Sequence, residues 1–179
     1  MSTALVAFLL LAASVDPRLD GPMRLLADVH DASGEPVGAA YAGLPDALGL
    51  ILIVSSLPPR AGAHYQPSRR VVTVATALLD EDPRVIASGL VHELQHANDF
   101  NLVAGGQLDR DCVELEARAF EAQATVTRGF WPAELPSGTD WERELSRIVV
   151  IYERDGLDGL RAMVHENEGY RERCAALDG

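Results

Sequence analysis

His92-Glu93-Leu94-Gln95-His96 is the stretch on which the reading of this chain turns. On an α-helix, residues four apart lie one above the other on a single face. His92 and His96 would then aim two imidazole nitrogens at one point, close enough to share a metal ion. Glu93, one position round the helix, would reach a water on that ion as a general base. The flanking sequence supports the helix. Asp82-Pro83 is a good start, an N-cap acid followed by proline at the first helical position. Val85, Ile86, Leu90, Leu94 and Ala97 recur at helical spacing, and Gly105-Gly106 is a natural stop. The spacing predicts a helix over about 83–102, with the two histidines beside its core-facing stripe.

The bulk properties narrow the setting. At 179 residues and 47% hydrophobic, the chain is expected to form one domain, 1–179, with its own core. Its net charge is −12, from 15 Lys and Arg against 27 Asp and Glu. Nucleic acid and anionic membrane are therefore not expected partners, because phosphate contacts need clustered Lys and Arg. The apolar run Ala4–Ala13 is too short to span a bilayer, which takes about twenty residues, so stable membrane insertion is not expected. Residues 1–14 fit either a signal-peptide core or an N-terminal core helix ended by Asp16-Pro17. Met1-Ser2-Thr3 lacks the positive charge of a signal's first segment. That favours the core helix and, with it, the cytoplasm over export. Cys112 and Cys174 would pair in an exported chain and remain small buried thiols in a reducing one.

Outside the motif helix, Pro22–Val29 reads as a short helix and residues 31–46, rich in Gly, Ala, Pro and Asp, as loop. Leu48–Leu57 is a continuous apolar run consistent with a buried strand. Ala63–Tyr65 and Arg70–Thr76 flank Gln66-Pro67-Ser68-Arg69 and predict a hairpin. After the motif helix, Val113, Ala117, Phe120 and Ala124 mark a helix over about 111–128. Thr139 or Asp140 caps another through Glu153, ended by Gly156. Leu157–Leu177 holds one or two more. The expected class is α+β: a small antiparallel sheet packed on the motif helix, followed by several C-terminal helices.

A catalytic zinc takes three protein ligands and leaves a fourth position for water, so a third ligand is needed from elsewhere. Asp99 shares the helical face, but one straight helix does not wrap three ligands round an ion. It reads as support behind a ligand or as a solvated helix-face acid. Leu102 stands where the metzincin pattern H-E-x-x-H-x-x-G-x-x-H needs its last histidine, and Asp99 stands at its glycine, so that pattern is excluded. Glu114 and Glu116 sit on the next helix, which a short loop should fold back against the motif helix. Asp111-x-x-Glu114 also has capping-box spacing. Cys112, close to this region, is a further candidate ligand.

H-E-x-x-H is the zinc signature of metallopeptidases. His92-Glu93-x-x-His96 followed by Glu114-Leu115-Glu116-Ala117-Arg118-Ala119-Phe120 resembles the gluzincin layout, in which a downstream helix supplies a glutamate ligand. It is similar to the ImmA/IrrE-type peptidases, which carry E-x-x-A-x-x-F on that helix with the first glutamate on the metal. By position that residue is Glu114, with Ala117 and Phe120 matching the small and aromatic positions. The resemblance covers about 82–123. It implies a zincin-like domain with one Zn2+ per chain held by His92, His96 and Glu114, Glu93 as general base, and a peptide or protein substrate. No helix-turn-helix region accompanies it, so the regulatory role of such proteins does not transfer. The strand Arg70–Thr76 resembles the zincin edge strand that holds an extended peptide; a plain core strand is the other reading. An oxyanion donor is also required. His64, Tyr65, Tyr152, His165 and Tyr170 are available, and sequence selects none of them. The rival expectations are a zinc-binding or interaction domain without turnover, its fourth position filled by Cys112 or Asp99, and an inert scaffold in which the motif is accidental.

Overall fold

The computed structural model describes residues 13–59 and 61–178, and of 176–178 the backbone alone. The apolar run at residues 4–12, with its two readings, lies outside the described residues. From Ser14 onward the chain is extended: β1 (Ser14–Val15) leads through a 3-10 turn into α1 (Asp20–Asp28). Then follow α2 (Ala39–Leu48), β2 (Ile51–Ser55), β3 (Ala63–Gln66), β4 (Val71–Ala75), α3 (Pro83–Ala104), α4 (Cys112–Phe130), α5 (Asp140–Glu166) and α6 (Glu168–Asp178). The class is α+β, as expected, and mostly helical.

The sheet is mixed rather than antiparallel. Its order is β1-β2-β4-β3, with β2 parallel to both β1 and β4 and the β3–β4 hairpin antiparallel. Parallel pairs need crossovers of a dozen or more residues. Here α1 and α2 fill the passage from β1 to β2, and β3 lies in the passage from β2 to β4. Only the hairpin had a local signature, and its turn is where sequence placed it. β4 lies inside the sheet, between β2 and β3, so the core-strand reading of 70–76 holds and the edge-strand reading does not. The edge is β3. β2 alternates, with Leu52 buried and Ile53 38% exposed, so its continuous apolar run covers the core on one side alone.

Residues 31–46 are not all loop, because α2 begins at Ala39. Pro45 inside it and Gly38 before it hide the helix from composition. Packing overrides both. Gly38 is where α2 starts against the end of α1: a Cβ there would lie 2.0 Å from the Leu26 carbonyl oxygen. Gly49 then ends α2 in the left-handed conformation.

α3 is the centre of the molecule. Asp82 caps it, its side chain accepting from the Arg84 N–H at 2.8 Å, and Pro83 opens it. Leu90, Val91 and Leu94 are fully buried in a core shared with α1 and the sheet, each such side chain stabilising the fold by about 1.5–3 kcal/mol. α4 lies between two cores. Ala122 and Val126 join α3's core, while Ala117, Phe120 and Ala124 face α5 in a second. α5 opens with a capping box, Thr139 and Glu142, and breaks at Gly156 (φ 62°), where sequence put a helix end. The expected further helices are its second half and α6.

Candidate metal centre

α3 and α4 run antiparallel, so contacts pair in opposite order: His92 packs on Phe120 with ring centroids 4.6 Å apart, and His96 meets Glu116. The seven-residue turn that makes this possible passes through Gly105 and Gly106, the latter at φ 67°. Three ligand atoms converge between the helices. His92 Nε2 and His96 Nε2 are 3.1 Å apart, and Glu116 Oε2 lies 3.4 Å and 3.5 Å from them. All three residues are buried.

These distances suit a shared cation. Three tetrahedral ligand atoms at about 2.0–2.1 Å from one ion stand roughly 3.3–3.4 Å apart, and the observed separations bracket that spacing. Glu116 Oε2 is buried with no hydrogen-bonding partner among the described residues, an arrangement that costs free energy unless something positive meets the oxygen. Two imidazoles and one carboxylate form a donor set for first-row divalent ions. The cluster can therefore hold a metal ion.

Electrostatics within the cluster run the same way. Burial by itself lowers the His96 pKa, but the Glu116 carboxylate beside it outweighs this and the net direction is up, with smaller contributions from Glu93 and Asp99. Burial raises the Glu116 pKa, yet the adjacent His92 and His96 hold it well below the usual carboxylate range.

Glutamate 114, the third ligand expected by position, is not brought to the histidines. Its carboxylate bonds the Arg161 guanidinium on α5 at 2.8 Å and 3.2 Å. The reason is helical geometry. Residues two apart point about 200° away from each other, so a helix that turns Glu116 toward α3 turns Glu114 toward α5. The capping alternative is half realised: Asp111 accepts from the Glu114 N–H at 3.1 Å, while the Glu114 side chain goes elsewhere. Glu116 and Phe120 are four apart and share a face, and that face meets the histidines.

Glu93 is buried. Its Oε2 accepts from the Tyr65 backbone N–H of edge strand β3 at 2.7 Å. That bond fixes the carboxylate and uses an N–H that the edge would otherwise leave unpaired.

Asp99 is fully buried, which removes the solvated reading. It accepts from Arg118 through Nε and Nη2, both at 3.0 Å, and from Gln95 Nε2 at 2.8 Å. Gln95 Oε1 in turn accepts from the Tyr41 hydroxyl of α2 at 2.9 Å. Burial first, and Asp99's charge second, push the Tyr41 phenol up to about 12, so it stays a donor. This chain of bonds ties α2, α3 and α4 together one turn beyond His96. It touches neither imidazole: both Nδ1 atoms are buried without a partner among the described residues.

Cys112 and Cys174 form a disulfide, with Cα atoms 5.3 Å apart. Cys112 is thereby no thiolate ligand, and Asp99 is committed to Arg118. Neither fills a fourth position. Among the five candidate oxyanion donors, His64 and His165 are exposed and Tyr65 packs on Phe100. The Tyr152 hydroxyl donates to Glu121 at 2.8 Å. Tyr170 packs against Phe120 at 5.5 Å, and Phe120 in turn lies on His92. Sequence did not anticipate Arg173, whose Nη1 is 3.5 Å from Glu116 Oε1. No helix among the described residues is long and apolar enough to cross a membrane. No protein-family model matches the chain, and no curated protein or solved structure matches it either.

Proposed function

We propose that the chain is a zinc-dependent peptidase of the H-E-x-x-H type, with His92, His96 and Glu116 as the metal ligands and Glu93 as general base. Glu116 takes the place that resemblance gave to Glu114. The observation that carries this reading is the convergence of three buried ligand atoms within 3.5 Å of one another, one helical step from a second carboxylate. When bound, zinc would supply a Lewis acid for the substrate carbonyl and lower the pKa of water toward about 7.

The rest is work for the chain's own residues. Glu93 accepts a proton from the attacking water and hands it to the leaving amine. The Tyr65 N–H holds that carboxylate in place throughout. The burial of the cluster, with Phe120 against His92, lowers the local dielectric and strengthens each charge interaction inside. The arrangement supports peptide or protein substrates through the motif alone, and nothing in it selects a side chain. The Cys112–Cys174 bond supports an oxidising compartment, the reverse of the cytoplasmic expectation.

Glu93→Gln tests the reading. The variant is expected to retain one zinc per chain by elemental analysis and to lose hydrolysis of a quenched-fluorescence peptide library. Cleavage by the variant at the parent rate would overturn the assignment of Glu93. A zinc-loaded parent that cleaves no peptide would leave a metal site without turnover.

A further inference from the structure

Helix α6 packs against α4 and α5, and three contacts bind it beside the metal cluster. Cys174 is bonded to Cys112, the first residue of α4 and one turn before Glu116. The neighbouring Arg173 reaches Glu116 Oε1, the oxygen turned away from the histidines. Tyr170, one turn earlier, stacks edge-on against Phe120, which packs on His92, and carries the Arg173 guanidinium 5.1 Å above its ring.

Apart from its packing on α5, little else among the described residues holds the helix. From Glu168 to Ala175, Cys174 is buried and Tyr170 half-buried, and the other six residues are exposed. A helix of 11 residues is also too short to be stable by itself, isolated helices below about 12–15 residues being marginal in water. The covalent bond is therefore what keeps Arg173 beside Glu116.

We propose that α6 is a disulfide-held strap over the metal centre, and that a dithiol reductant releases it and loosens the grip of Glu116 on the ion. The inference rests on the metal reading given above. In the chemical step the dithiol closes to its cyclic disulfide, giving up two electrons and two protons. The Cys112–Cys174 sulfur–sulfur bond breaks, and each sulfur leaves as a thiol. Both cysteines are buried, so attack on the sulfur follows a local opening of the short α6, whose Arg173 and Ala175 are exposed. Arg173 acts as a positioning residue: it holds one carboxylate oxygen so that the other faces the imidazoles. Partners of this kind behind a ligand typically set metal affinity by about 10–100-fold.

The test uses the full zinc-loaded chain, oxidised or reduced with dithiothreitol and then freed of reductant by gel filtration under argon. Two quantities are read: the rate of zinc transfer to a chelating dye, and backbone hydrogen exchange across 168–178. Reduction is expected to speed zinc transfer about tenfold or more and to raise exchange in α6 by a similar factor, with 92–96 changing less. A Cys112→Ser/Cys174→Ser double variant should match the reduced parent and ignore dithiothreitol. Oxidised Arg173→Ala should transfer zinc faster while α6 exchange stays slow, and Arg173→Lys should restore part of the difference. Equal zinc transfer and equal α6 exchange in the two redox states of the parent would overturn the strap. If neither state binds zinc, the metal reading fails separately. The exchange data then decide the strap: faster α6 exchange on reduction supports it, and unchanged exchange overturns it.

Discussion

Replacing Asp99 with alanine probes the network that fixes α3 against its neighbours. Asp99 is fully buried and accepts three hydrogen bonds at 2.8–3.0 Å, two of them from one guanidinium. Breaking a buried ion pair by removing one partner typically costs about 3–5 kcal/mol. The Arg118 side chain is 33% exposed, so water can recover part of its solvation and the figure falls to about 2–3 kcal/mol. For a domain of this size each kcal/mol moves Tm by about 2–4 °C, giving an expected drop of roughly 4–12 °C. Far-ultraviolet circular dichroism during heating measures it. A double-mutant cycle with Arg118→Ala then isolates the pair, with an expected coupling of about 1–3 kcal/mol. Asp99→Ala should still bind one zinc, because the carboxylate meets no imidazole. A Tm within about 2 °C of the parent would refute the network's structural role. Loss of the zinc would instead make Asp99 a ligand.

Titration calorimetry separates the two glutamates of α4: Glu116→Ala should weaken zinc binding by more than about 100-fold, beyond what loss of a supporting partner costs. Glu114→Ala should leave affinity within a few-fold and lose only a half-exposed ion pair with Arg161, which solvent screens. The metal-free protein should be most stable, from the cluster's own groups, between about pH 4.5 and 6.5. His96 has its folded pKa raised above 6.5, so its contribution is full below that pH and is lost as pH rises through the folded value. Glu116 is depressed below 4.5, so its contribution is present above that pH and is lost as pH falls. Zinc needs neutral imidazoles, so its stabilising effect should grow over the same rise, and calorimetric scans with and without chelator read both. A metal-free Tm that climbs steadily above pH 6.5, unchanged in Glu116→Gln, would contradict this linkage. Leu90→Ala, at a fully buried position of α3, should cost about 2–5 kcal/mol in urea unfolding.

The parts of this structure that sequence made legible are those with a local cause. Asp82-Pro83 and the 85–97 stripe specify α3, Pro67-Ser68 specifies the hairpin turn, and Gly156 breaks α5 at the predicted point. What sequence left unread depends on distant partners. α2 carries a proline and a poor N-cap and exists because Tyr41 and Gly38 fit against α3 and α1. The parallel pairing of β2 with β1 and β4 has no short-range signature. At the site, His92, Glu93 and His96 follow from one helical turn. The choice of Glu116 over Glu114 depends on how α4 is rotated, and an E-x-x-A-x-x-F match at Glu114 ignores that rotation. Buried Ala117 packs toward α5, while Phe120 also packs against His92 and Tyr170. Arg173 lies 57 residues beyond Glu116, and only the folded chain shows that the two meet.

The most direct measurement is anomalous diffraction at the zinc edge from crystals of the zinc-loaded protein. One peak is expected between α3 and α4, about 2.0–2.2 Å from His92 Nε2, His96 Nε2 and Glu116 Oε2. A peak on Glu114, or none between the two helices, would contradict the metal centre described here.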